Sequence, residues 1–72
     1  MITTIRVEQG GQVKRMPLKV AVLRFGGVAE LAEALEGYHE SAVFAEDEDG
    51  LTVHYKATVA AIEYGVQHAT GS

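Results

Sequence analysis

Hydrophobic and polar residues alternate along the start of the chain. From Thr3 onward, Thr3, Ile5 and Val7 point one way and Thr4, Arg6 and Glu8 the other, which predicts a half-buried strand over residues 2–8. Gly10-Gly11 punctuates it. Residues 13–25 read as a second strand, with Met16, Leu18, Val20 and Val22 on one face. Pro17 has no N–H to give a ladder, so that strand must lie at an edge or bulge there. The alternation fails near its end, where Leu23 and Phe25 fall out of phase with Val22.

Charge argues for a register between these two strands. A Gly11-Gln12 loop of type II′ sets Val7 opposite Met16, Ile5 opposite Leu18 and Glu8 opposite Arg15, an attractive pair. A Gly10-Gly11 loop would set Arg6 opposite Arg15, which is repulsive. The first register is therefore expected.

The period then changes. Gly26-Gly27 marks a break, and Val28, Leu31, Ala32 and Leu35 recur at helical spacing, predicting a helix over 27–36. Gly37 stands where a left-handed glycine closes a helix. Residues 41–46 alternate again, with Ala42 and Phe44 on one side and Val43 and Ala45 on the other. After an acidic turn ending at Gly50, residues 51–58 give the cleanest alternation in the chain, Leu51, Val53, Tyr55 and Ala57 against Thr52, His54, Lys56 and Thr58. A loop of 47–50 sets Phe44 opposite Val53, and a tighter Asp49-Gly50 loop sets it opposite Tyr55. Val59, Ile62 and Val66 then fit a short helix over 58–68, with Thr58 as its N-cap.

These elements predict one α+β domain over residues 1–72. Its architecture is two-layer, with an antiparallel four-stranded sheet in ββαββ(α) order packed by one or two helices. The expected core is Ile5, Val7, Leu18, Val20, Val22, Leu31, Leu35, Phe44, Val53 and Tyr55. The face bearing Val43 and Ala45 is left without a cover, and a second copy is the expected one.

Composition bounds the rest. With 72 residues and 47% hydrophobic content the chain is globular, and no apolar run approaches the roughly 20 residues that span a bilayer. The opening Met-Ile-Thr-Thr has no signal-peptide character, so a cytoplasmic domain is expected. Cysteine is absent, so neither disulfides nor thiolate ligands can staple so small a core. This again favours a homodimer.

Little in the sequence speaks for catalysis. His39, His54 and His68 form no metal-ligand cluster, and Ser41 has no nucleophile elbow. Gly26-Gly27 lacks the further residues of a phosphate loop, and Glu30 in the first helical turn would repel an anion. A domain this small is expected to have little room for a ligand pocket of ~300 Å³ or more. No cofactor, no metal and no catalytic residue is therefore expected, and a cavity lined by Tyr38, His54 or Tyr64 would favour the opposite reading.

Charge is the distinctive feature. The net charge is −4. Residues 1–25 carry Arg6, Lys14, Arg15, Lys19 and Arg24 against Glu8 alone, whereas residues 26–72 carry Lys56 against nine acids. Glu30, Glu33 and Glu36 cover one sector of the predicted helix, followed by Glu40 and by Glu46, Asp47, Glu48 and Asp49. The leading expectation is a small acidic, non-enzymatic protein-protein interaction domain that offers these carboxylates to a partner with a basic surface. Inhibitor, adaptor and accessory subunit are the roles that fit, and size and acidity suit a phage or mobile-element type of protein. The alternatives are a nucleic-acid-binding regulator using Arg6, Lys14, Arg15, Lys19 and Arg24 of the first hairpin, and a small dimeric enzyme or ligand-binding protein with its site at the subunit interface. Negative overall charge and the lack of exposed aromatics on the hairpin place nucleic acid second.

Overall fold

A computed structural model describes residues 1–37, 42–53 and 58–69. The elements are β1 (Ile2–Gln9), β2 (Gln12–Pro17), α1 (Leu18–Phe25), α2 (Val28–Leu35), β3 (Ala42–Asp47) and α3 (Val59–Gln67). The class is α+β, but among the described residues the order is ββααβα and the antiparallel sheet has three strands, β2-β1-β3, where four were expected. Of the expected fourth strand, residues 51–53 contribute only a bridge between Glu46 and Thr52; residues 54–57 lie outside the described residues.

The second correction is α1, where a strand was expected to continue to residue 25. Leu18, Ala21, Val22 and Phe25 stand at i, i+3, i+4 and i+7, the same template as Val28, Leu31, Ala32 and Leu35 in α2. Leu18 and Ala21 are buried and Val22 and Phe25 pack against the core, so burying this stripe overrides the β-propensity of the valines. Pro17 is the hinge. Its φ of −58° and ψ of 149° end the strand and enter the helix, and pairing with Thr4 puts it on the ladder where a missing N–H is harmless.

The hairpin register is the third correction. The loop is Gly10-Gly11, and Ile5 faces Met16, Arg6 faces Arg15 and Val7 faces Lys14. Both glycines have positive φ, 57° and 80°, as a type I′ turn requires at its two central positions. The Arg6–Arg15 repulsion that spoke against this register is removed by a residue distant in sequence, Glu46, described below.

The remaining corrections concern faces. β3 pairs with β1 so that Ala45 lies opposite Ile5 and Val43 opposite Val7. Val43 and Ala45 therefore enter the core beneath the helices and need no second copy to cover them, while Phe44 lies on the helix-free face. The turn after β3 runs through Glu48, Asp49 and Gly50, one residue away from either expected register. Val53 donates to the Ala45 carbonyl at 2.8 Å, Asp47 donates to that of Leu51 at 2.9 Å, and Val53 packs against the core. A slip of one residue moves every side chain to the other face.

The core consists of Ile2, Ile5, Leu18, Ala21, Leu31, Ala34, Val43, Ala45 and Ile62. Val7, Val22, Leu35 and Val53 flank it, Val20 is exposed, and Tyr55 lies outside the described residues. An irregularity between Ile2 and Thr4 brings both Ile2 and Ile5 into the core despite their odd spacing.

Both expected helices are present. Gly37 closes α2 with φ 91°, its N–H bonded to the Ala34 carbonyl. Thr58 caps α3, its hydroxyl accepting from the Ala61 N–H at 3.1 Å. Gly65, inside α3, is a packing residue. A Cβ there would sit 2.6 Å from the Ile2 carbonyl oxygen and 2.7 Å from Leu18 Cδ2, so its absence lets α3 lie directly on β1.

Candidate interaction surfaces

The acidic row is built by α2. Packing Leu31 and Ala34 into the core turns Ala29, Glu30, Glu33 and Glu36 outward, and all four are exposed. Glu30 folds back over the α1–α2 corner, its Oε2 2.6 Å from the place a Cβ on Gly27 would take. An acid in the first turn complements the helix dipole, so Glu30 also serves the fold. Glu36 sits at the opposite end, beside the partial negative charge of the C-terminus, and the last turn holds no basic residue. Neither Glu33 nor Glu36 has an ion-pair partner among the described residues.

The other acidic residues have separate situations. Glu40 lies outside the described residues. Glu46 is 3% exposed and is no part of a free acidic surface. Asp47 is consumed by the turn, its Oδ1 accepting from the N–H groups of Asp49 and Leu51, each at 2.9 Å. Glu48 and Asp49 are exposed. The Glu48 carboxyl is held below its usual range by a backbone N–H and by the Met1 amino group at 3.2 Å.

Glu46 organises the basic hairpin. On the helix-free face it accepts from Arg6 Nη1 at 2.7 Å through Oε2 and from Arg15 Nε at 3.1 Å through Oε1. Arg6 Nε lies 3.0 Å from Glu8 Oε2 as an ion pair without hydrogen-bond geometry, and its guanidinium stands 4.6 Å from the centre of the Phe44 ring. The Arg15 side chain remains 59% exposed at the sheet edge. Two of the five hairpin-region cations are thus bound within the chain. Lys14 and Arg24 are exposed and Lys19 is half-buried. The cluster of Arg6, Arg15, Phe44 and Glu46 was missed in the sequence because it depends on the Gly10-Gly11 register.

A cavity of about 400 Å³ opens where α3 approaches the β2–α1 junction, larger than expected for so short a chain. Leu18, Lys19, Glu48, Gly65 and His68 are among its lining residues. His68 Nδ1 donates to the Tyr64 carbonyl at 2.8 Å and its ring stacks on Tyr64 at 4.0 Å, which leaves Nε2 without a proton in the neutral form. Tyr64 does not line this cavity, and Tyr38, His39, Ser41 and His54 lie outside the described residues. Among the described residues no group of three or more His, Asp or Glu side chains is placed to hold a metal ion, and no helix is long and apolar enough to cross a membrane. Compared with protein-family models, curated proteins and solved structures, the chain matches none of them.

Proposed function

We propose that this chain is a non-enzymatic protein-binding domain of the cytoplasm, acting as an inhibitor, adaptor or accessory subunit, and that α2 presents its contact surface. The observation that carries the reading is the state of Glu33 and Glu36. Both are exposed and unpaired among the described residues, and Glu36 opposes the helix dipole with no compensating cation. Such a placement costs about 0.3–1 kcal/mol of fold stability, which a basic partner would offset on binding. The rival nucleic-acid surface is weakened by the pairing of Arg6 and Arg15 to Glu46.

The test uses partners captured from cells that express the protein, with association rates measured for wild type and for a Glu33→Gln/Glu36→Gln variant. The double variant should associate more slowly, and the difference should shrink with added salt. A partner indifferent to these glutamates, or duplex DNA binding that disappears in Lys14→Ala/Arg15→Ala, would replace this reading with the nucleic-acid one.

A further inference from the structure

Leu23 is 82% exposed on α1, and Val20, three residues before it on the same stripe, is 40% exposed. Burying Leu18, Ala21, Val22 and Phe25 against the core makes this inevitable, since the opposite side of the helix is then Val20, Leu23 and Arg24. Lys19 and Arg24 are the only charges on α1, and α2 carries only glutamates. The two helices are neighbours joined by Gly26-Gly27, yet no ion pair links them among the described residues. One copy therefore displays an apolar, basic strip beside an acidic one.

We infer that the chain forms a two-fold homodimer in which α1 of each copy lies on α2 of the other. This rests on the reading of α2 as a contact surface and names its partner. Charge selects this arrangement over the other self-pairings. Stacking α1 on its own copy opposes Lys19 and Arg24 to like charges, and stacking α2 on its copy opposes glutamate to glutamate. An antiparallel β2–β2 pairing centred on the strand sets Lys14 opposite Arg15. Of these four pairings α1 on α2 is the one that brings opposite signs together, and a two-fold axis makes that contact twice. Ala29 shares the stripe of Glu33 and Glu36 and is exposed, so it offers Leu23 a small apolar seat between the carboxylates. The chain's accessible surface is 4728 Å², so a modest interface of roughly 600 Å² per copy would take about an eighth of it.

Analytical ultracentrifugation of the full chain, at micromolar concentrations and in about 50 mM and about 500 mM salt, tests this. The wild type should dimerise, more weakly at high salt. Leu23→Asp and Glu33→Lys/Glu36→Lys should each raise the dimer dissociation constant at least about tenfold. Circular dichroism should remain native, because these side chains are exposed. Adding Lys19→Glu/Arg24→Glu to the α2 variant should restore the dimer. A monomeric wild type at every concentration, or a dimer indifferent to both sets, would overturn the inference. If the wild type is monomeric but a captured basic partner still binds more slowly to Glu33→Gln/Glu36→Gln, the homodimer falls and the carboxylate reading stands. If neither changes, both fall.

Discussion

The helices α1 and α2 differ in composition far more than in construction. Each has eight residues, and each buries the stripe i, i+3, i+4, i+7. Each ends at a glycine with left-handed φ, 94° at Gly26 and 91° at Gly37. Yet α2 is built from Ala, Leu and Glu, which favour helix, while α1 is Leu-Lys-Val-Ala-Val-Leu-Arg-Phe, whose valines and phenylalanine favour strand. The helix in α1 is therefore bought by tertiary packing, whereas local preference and packing agree in α2. The outer faces differ too: α2 shows carboxylates to water, and α1 shows Leu23.

Substitutions can break or sharpen this comparison. The largest effect should come from Leu31→Ala, because Leu31 has no exposed surface and a truncated core leucine costs roughly 2–5 kcal/mol. Denaturant unfolding should register it as a lower midpoint, and an unchanged midpoint would contradict the core described here. Smaller and nearly equal losses, about 1 kcal/mol each, should follow Gly26→Ala and Gly37→Ala. A Cβ meets only Glu30 Cγ at 3.8 Å in the first case and nothing within 4 Å in the second, so left-handed strain alone sets the penalty. A large difference between the two would mean that one helix end is not formed as described. The smallest effect belongs to Leu23→Ala. At dilutions that dissociate any dimer, it should move stability by no more than about 0.5 kcal/mol. A loss comparable to that of Leu31→Ala would show that Leu23 is buried within a single chain.

The legibility of the sequence follows the same division. The helices at 28–35 and 59–67 could be read because propensity, periodicity and caps agree there, and Gly37 has the expected conformation. Residues 18–25 could not be read with the same method, because Val20 and Val22 supply a two-residue period on top of the helical one. The loss of phase at Leu23 and Phe25 was the visible trace of the helix. Phe44 was expected inside because either register of the acidic turn sets it opposite Val53 or Tyr55, but its place follows from pairing with Arg6, a contact 38 residues apart in the chain. The exposed glutamates of α2 were legible because the helix was. Glu46 was grouped with them because nothing nearby in the sequence reveals two arginines converging on it.

The position of Glu46 has a consequence for how the first two strands find each other. Hairpins close within roughly 1–10 μs, and at that stage residues 2–17 have only their own charges to consult. Those charges favour Glu8 beside Arg15, a pairing two residues out of step with the native one that leaves every side chain on its proper face. The instruction that corrects it resides 31 positions beyond Arg15, in a carboxylate that arrives only when β3 docks. The hairpin is thus not autonomous, and a peptide of residues 1–17 should populate the Glu8–Arg15 register. Cross-strand contacts between Val7 and Met16 in its nuclear magnetic resonance spectra would reveal it, whereas contacts between Ile5 and Met16 in the isolated peptide would show that the Gly10-Gly11 turn decides the pairing by itself.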